Sequence, residues 1–392
     1  MAMIKHLIKL IWNKKRSNFL LTTEIFASFI VLFGVMSLVF YNYGNYVQPL
    51  GYDYEDVWAV YFTGQDTPDS VFSEALERAK QQAASYPEID GAALCTSNTP
   101  YSQTTMRWNI TYEGKSVLSE MILADENLAS VLNMPLEEGR WMDRAEVESG
   151  QPVVVLNRQA KEALFGDEPA LGKMASLSDD GKFWKVVGVL GNFKAKGEFQ
   201  ELEPVVFINH QSYDIPMDVI LLNTNEGADA VFEAALLKGL NRLARGANIE
   251  LSYLTSQRRN QHAITKAPMI IAATVCGFLL LNVGLGLLGV LWFNIRKRRG
   301  EIGLRRALGA TRGGILVHFV SEAVLIAAFA ILVGLFFAGQ FPLLGVFGLD
   351  ASIYLSAALA SVGILVVLVA ACAFVPSREA AQVQPAMVLH EE

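Results

Sequence analysis

Four apolar runs dominate the chain, and each is long enough to cross a bilayer. They cover about 19–41, 268–293, 315–341 and 351–375. About 20 apolar residues are needed to span a hydrocarbon core. Hydrocarbon offers no solvent to backbone amides, so each run is expected to be one helix that satisfies its own hydrogen bonds. One large connection, 42–267, and two short ones, 294–314 and 342–350, join the runs. The fold class this implies is a membrane protein: four transmembrane α-helices plus a large mixed α/β extracytoplasmic domain made of two subdomains, inserted between the first and second spans.

Charge is segregated in a way that orients these spans. The net charge of −7 conceals it. Residues 1–18, a basic amphipathic segment, carry five Lys/Arg and no acid, whereas 42–267 carry 19 Lys/Arg against 32 Asp/Glu, a net −13. Seven Lys/Arg crowd into 294–314 with one acid, Glu301. Lys/Arg-rich short segments stay on the cytoplasmic side. The N-terminus, 294–314 and the tail 376–392 are therefore expected inside, and 42–267 and 342–350 outside. The first span follows a basic segment, as a secretory signal would, but it exceeds 20 apolar-rich residues and has no small-x-small cleavage site. It reads as an uncleaved anchor. An acidic exterior argues against nucleic acid as a partner.

The exterior domain alternates strand and helix patterns. Asp56–Phe62, Ile89–Thr96, Arg107–Tyr112 and Val117–Leu123 read as strands and Ser70–Ser85 as a helix. This piece resumes at Met217–Leu222, a helix at Ala228–Leu243 and a strand at Ile249–Leu254. Between them, about 125–216 carries its own set: strands at Pro152–Leu156, Trp184–Leu190 and Val205–Asn209, and a helix at Arg158–Phe165. One subdomain is thus expected to be inserted into another. Cys95 is alone in this domain, so no internal disulfide staples it; about 226 residues can build a core without one. Thr255–Lys266 is polar, lacks Gly and Pro, and runs into the second span. It predicts a stalk, about 255–267, continuous with that span, with Pro268 either kinking the helix or opening a separate one.

The connection 294–314 has a pattern of its own. Gly300 frees the backbone after the second span. Glu301–Leu308 has helical propensity, with the acid first and the arginines late, as the helix dipole favours. Gly309 is a natural stop, and Thr311 a cap for the third span. A short helix results, shaped to enter a cleft on a soluble partner. The competing reading is a loop that binds lipid headgroups, for which the density of Lys/Arg is sufficient.

Several other motifs carry no chemistry. Gly284, Gly286 and Gly289 form a G-x-G-x-x-G triplet in mid-span, with no preceding strand and no acid at ribose distance. They read as helix-packing positions rather than a dinucleotide site. No G-x-x-x-x-G-K-[ST] occurs, so no nucleotide-binding loop is expected in this sequence. Glu24 and Glu322 are acids within spans. They are candidates for function, including proton relay, but pairing with neighbouring basic segments or snorkelling is the favoured reading. The five histidines are scattered without metal-ligand spacing, and no nucleophile–base constellation is evident.

An ordered set of segments resembles the MacB/FtsX superfamily of ABC transporter permeases. EIGLRRALGAT at Glu301–Thr311, followed by SEA at Ser321–Ala323, resembles the family's cytoplasmic loop and third span. GRW at Gly139–Trp141, VVVLN at Val153–Asn157, ALFG at Ala163–Gly166, LGK at Leu171–Lys173 and VVGVLGNFK at Val186–Lys194 resemble the exterior domain of MacB-like members. The tail, PSREAAQVQPAMVL at Pro376–Leu389, resembles the family's terminal pattern.

The resemblance implies a non-catalytic permease subunit of a bacterial inner membrane. It implies no cofactor in this chain, with ATP and Mg bound by a separate ABC ATPase dimer. A second permease copy or a related permease, membrane lipid, and a periplasmic adaptor or effector are the other expected partners. The ATPase-coupling residues would be Glu301, Ile302, Gly303, Leu304, Arg305, Arg306, Ala307, Leu308, Gly309 and Ala310. ATP-driven closure would move the exterior domain mechanically, for export or extraction of a hydrophobic molecule, a peptide or a lipoprotein. The alternatives are a transmembrane regulator of an extracytoplasmic partner, such as a cell-wall hydrolase, or a membrane-anchored sensor. A secondary carrier is disfavoured by the absence of an inverted repeat.

Overall fold

A computed structural model of the chain describes residues 15–63, 69–177, 182–212, 215, 217–244 and 246–382. Most of the N-terminal basic segment and the end of the tail pattern lie outside the described residues. Helix α1 (Lys15–Tyr46) is followed by β1 (Val57–Thr63), α2 (Asp69–Ala84), β2 (Ile89–Cys95), β3 (Arg107–Tyr112), β4 (Lys115–Ala124) and β5 (Leu136–Gly139). Then come β6 (Val153–Asn157), α3 (Arg158–Phe165), β7 (Met174–Ser176), β8 (Phe183–Leu190), β9 (Val205–Asn209), β10 (Val219–Thr224), α4 (Ala230–Leu243) and β11 (Asn248–Tyr253). The chain finishes with α5 (Leu254–Lys297), α6 (Arg299–Ala307), α7 (Arg312–Ala338) and α8 (Ala351–Ala381). Four of these helices, α1, α5, α7 and α8, are long and apolar enough to cross a membrane. The chain divides into two units, 44–265 and the spans with their connections.

Within 44–265 the strands fall into two groups. Four of them, in the order β11-β1-β10-β2, form an antiparallel sheet. Its strands are β-branched and aromatic on the face that packs α2 and α4. Trp58, Val60, Phe62 and Leu222 meet Phe72, Leu76, Phe232 and Leu236 in one buried cluster. The apolar positions of α4, Phe232, Leu236 and Leu240, recur at the four-residue spacing of a helix with one buried stripe. Asp229 caps that helix by accepting from the amides of Val231 and Phe232 at 3.0 and 2.8 Å.

The second group closes on itself. β4 pairs β3, β3 bridges to β7, β7 pairs β8, β8 pairs β6, β6 pairs β9, and β9 returns to β4 in parallel. Two strands inside this ring, β6 and β9, are buried at every position, which explains their uninterrupted apolar runs. The inserted subdomain therefore begins earlier than the expected boundary near 125. β3 and β4 belong to the ring. β4 pairs β9 over Glu120–Ala124, whereas it touches the first sheet only at Cys95↔Ala124. Alternation alone shows that a segment is a strand, not which sheet it joins.

The helical unit buries a continuous apolar core along α1, α5, α7 and α8. α5 runs for 44 residues with Pro268 inside it, so the stalk and second span form one helix, about 66 Å long at 1.5 Å per residue. Small residues set the closest approaches. A Cβ on Gly334 of α7 would lie 2.3 Å from the Phe29 ring of α1. We expect Gly334→Val to destabilise the helical unit by about 1–3 kcal/mol through overpacking. Gly277→Val, where a Cβ meets nothing within 4 Å, should leave it unchanged. Thermal unfolding of the detergent-solubilised protein checks both.

Candidate functional site

The connection after α5 is a built structure rather than a loose tether. The chain breaks at Arg298, with φ −104° and ψ 17°, and Gly300 lies inside α6. The expected hinge at Gly300 is thus displaced by two residues. Ile302 is buried and packs with Ile295, Ile315, Phe319, Ala380 and Ala381, and Gly303 is buried beside it. The opposite side presents Leu304 and Leu308, 59% and 81% exposed. Glu301 pairs with Arg305 one turn later, and both Ala307 and Gly309 are exposed. Arg306 donates to the Ala310 carbonyl at 3.4 Å. Gly309 takes φ +97°, a conformation that ends the helix and that a Cβ would strain. Thr311 then caps α7, accepting from the Gly314 amide at 3.1 Å.

An ion pair holds this segment to α7. Arg298 donates to the Glu322 carboxylate at 3.0 Å, and both side chains are 13% exposed. Glu322 is thus paired with the basic connection. Glu24 lies on α1 against Gly286 of α5, where a Cβ would come within 2.9 Å of its carboxylate. Gly284 faces Cys372 and Leu368 of α8, whereas a Cβ on Gly289 meets nothing within 4 Å. Two of the three glycines therefore sit at helix contacts within this chain and the third does not.

A second constellation lies wholly within 44–265, at the loop that follows β8. Lys194 is fully buried. Its ammonium donates to the carbonyls of Asn45, at the end of α1, and of Glu198, the latter at 3.1 Å. Asn45 returns a hydrogen bond to the Phe199 carbonyl at 3.2 Å. The Glu198 carboxylate, 8% exposed, receives the guanidinium of Arg258 and the imidazole of His262, the latter at 2.7 Å. Arg258 and His262 stand one turn apart on α5, so they share a face. The Phe199 ring packs between Tyr46 and His262, at 5.4 and 5.0 Å between centroids, and Arg258 stacks over Tyr54. Lys196 anchors the other side of the loop to the carbonyls of Ser102 and Thr104. One loop thereby ties the chain entering the domain to the chain leaving it.

Electrostatics favours the ionised clasp. Burial pushes the Glu198 carboxyl up, but the His262 and Arg258 hydrogen bonds outweigh it and hold its pKa below the usual carboxylate value. Burial also lowers Lys194 to about 8. Sequence reasoning marked Lys194 only as part of a resembling segment and set His262 aside. The available signal was Arg258 and His262 at i, i+4 on one face of a polar helical segment that also carries Arg259 and Lys266. Nothing in the sequence pointed to Glu198 as their partner. Among the described residues no cluster of metal-ligating side chains occurs.

Comparison with known proteins follows the division into units. Residues 26–237 match the family described as the MacB-like periplasmic core domain, and residues 273–385 match the family described as the FtsX-like permease C-terminal. The chain is 24% identical over 341 residues to a macrolide export ATP-binding/permease protein MacB of Wolinella succinogenes, covering 82% of this chain and 50% of that one. It is 25% identical over 270 residues to the pyoverdine export ATP-binding/permease protein PvdT of Pseudomonas aeruginosa, covering 66% of this chain and 40% of that one. It thus spans about half the length of the curated relatives it matches, or less. Among solved structures, the periplasmic region of MacB from Actinobacillus actinomycetemcomitans is similar at 15% identity and a TM-score of 0.40, covering 52% of this chain and 92% of that one.

The Glu198 clasp generates a pH prediction. A carboxyl with a depressed folded-state pKa contributes stability that is complete above its unfolded value of 4.5 and is lost as pH falls through the folded value. We expect Glu198→Gln to cost about 3 kcal/mol at pH 7, as a broken buried pair does. It should also flatten the acid limb of the stability curve below pH 4.5. Denaturation of the full-length protein followed across pH 3–7 reads both effects.

Proposed function

Because this chain belongs to the MacB/FtsX family of permeases, matching its periplasmic core domain and its C-terminal permease region in order, we propose that it is the membrane subunit of an ABC-type exporter. In this reading a partner ATPase binds and hydrolyses ATP with Mg, and this chain converts the closure of that ATPase into movement of the 44–265 domain. The permease works as a dimer, with a second copy or a related permease. The cargo is a hydrophobic molecule, a peptide or a lipoprotein. The export functions in the names of the relatives are consistent with this class.

The observation that carries the proposal is the unbroken helix α5. Near its start it bears Arg258 and His262, which grip Glu198. Beyond its end comes α6, with Leu304 and Leu308 facing outward. Exposed leucines beside arginines suit a cleft on a soluble protein: the apolar groups supply the burial and the charges set the orientation. The Arg298–Glu322 pair and the Ile302 cluster keep α6 from swinging independently of the spans. A push on α6 is then delivered to the spans rather than absorbed locally.

Orientation follows the basic segments: the N-terminus, the α5–α7 connection and the tail in the cytoplasm, and 44–265 outside. With Cys95, Cys276 and Cys372 replaced by serine, an impermeant maleimide should label Val231→Cys and not Leu304→Cys in spheroplasts. The reverse pattern would invert the whole assignment.

Docking and transmission are tested separately. Leu308→Asp should weaken binding of the co-expressed ATPase by about 2 kcal/mol, roughly thirtyfold in Kd, while the permease remains in the membrane. Retention of full affinity would exclude α6 as the contact. Inserting Gly-Gly-Ser between Lys266 and Ala267 leaves both the Glu198 clasp and α6 in place but interrupts α5. We expect ATPase binding to persist and export to be lost; export at the parental rate would show that a rigid α5 is not the route.

A further inference from the structure

We propose that the helical unit holds one acyl chain of a bilayer phospholipid in a fixed site between α1 and the turn joining α7 to α8. A cavity of about 490 Å³ is present there. Its walls are Phe33, Ser37 and Tyr41 of α1, Phe341 and Phe347 of the turn, and Tyr354 of α8. Small-molecule sites occupy about 300–1,000 Å³. A single side chain from a neighbouring helix fills only part of such a space, whereas an unbranched chain enters it lengthwise.

The chemistry of the wall selects hydrocarbon. Ser37 donates its hydroxyl to the Phe33 carbonyl at 2.8 Å, and the Tyr354 hydroxyl donates to the Val346 carbonyl. These polar atoms are spent within the protein. Water in a cavity needs about 2–4 polar partners, and the Ser37 and Tyr354 hydroxyl protons are already committed to carbonyls of the protein. No charged residue occurs from Ala323 to Leu349. The turn itself exposes Leu343, Leu344 and Phe347 by 79%, 74% and 80%. A turn so apolar, joining two spans, finds cover at the border of the bilayer rather than in bulk water, so the cavity that it borders faces lipid.

The mouth is built for entry. Phe347 adopts φ 61°, between Gly345 and Gly348 at φ 60° and 64°. A left-handed phenylalanine is uncommon, and here it directs a large ring to the rim. Phe33, Phe341 and Tyr354 form the inner wall as mutually tilted rings, 5.5–6.2 Å apart, and so fix the depth of the slot. Gly34 leaves one side open, since a Cβ there meets nothing within 4 Å. The inference rests on the membrane-spanning reading of the helices and not on the ATPase, so the tests of docking and transmission can fail without affecting it.

The test uses the full-length protein in vesicles of phosphatidylglycerol carrying a diazirine in one acyl chain. After irradiation, labelled peptides are mapped by mass spectrometry. We expect label concentrated on 33–41 and 341–354. It should fall about tenfold or more in Gly34→Trp and in Ser37→Phe, as when about two methylenes lose their site. It should not change in Gly363→Trp, which adds bulk at an exposed position of α8 where a Cβ meets nothing within 4 Å. Label spread evenly over the exposed faces of α7 and α8 would overturn the site, and that map needs no variant. Unchanged labelling in both filling variants would also overturn it. So would ready disulfide formation between two copies carrying Leu38→Cys in a background without native cysteines, since a second protein chain would then occupy the slot.

Discussion

An amide in hydrocarbon has no solvent to fall back on, and the architecture depends on that constraint. Each span has to be a helix that bonds to itself. In α5 the helix continues past Pro268 and back to Leu254. A proline in a helix removes one bond and crowds the preceding turn, yet the helix persists because its neighbours on both sides remain paired. The connection after α5 is made stiff by other means. Ile302 is buried under α7 and α8, and Arg298 is neutralised by Glu322. The segment best placed to meet a soluble partner is therefore not its most compliant part.

In the 44–265 unit, the corresponding role falls to a charge. Burying a carboxylate costs several kcal/mol unless donors replace its water. Glu198 receives two, one from each of Arg258 and His262, while its own carbonyl accepts from Lys194. Apolar packing alone would tolerate a small slide of one surface over another. A carboxylate between a guanidinium and an imidazole does not, because a shift of an ångström breaks directional bonds. Such an arrangement contributes less to net stability than to fixing one register. That suits a loop that joins Asn45, at the end of α1, to the first turns of α5.

Much of this was legible in the sequence, and what was not has a common cause. The four spans, the mixed α/β domain between them, the end of α6 at Gly309 and the Thr311 cap are local properties of short windows, and apolar length or turn chemistry announces each. The strand patterns at 107–112 and 117–123 were equally visible, but their membership in the closed ring was not. It is decided by β4 pairing with β9 some 80 residues later, and alternation is silent about partners. The break at Arg298 rather than Gly300 reflects the burial of Gly303 and Ile302, which draws the preceding glycine into the helix. Glu198 was missed for the same long-range reason: its donors lie about 60 residues away, and none of the three stands out alone.

The closed circuit of strands in the second subdomain has a consequence for aggregation. An open sheet edge presents unpaired amides and carbonyls and can recruit another chain. In the ring of β3, β4, β6, β7, β8 and β9 each strand has neighbours on both sides, so this circuit offers little to an aggregating partner. Open edges remain on the four-residue β5, which pairs with β8 alone, on β2 outside its single bridge to β4, and on β11, which pairs with β1 alone. There the strand is six residues long and carries Asn248 and an exposed Glu250 before the chain turns into α5. A short edge with a charge and an immediate helix is a poor template for intermolecular pairing. The domain thus closes one of its two strand groups into a circuit and blunts the β11 edge with charge.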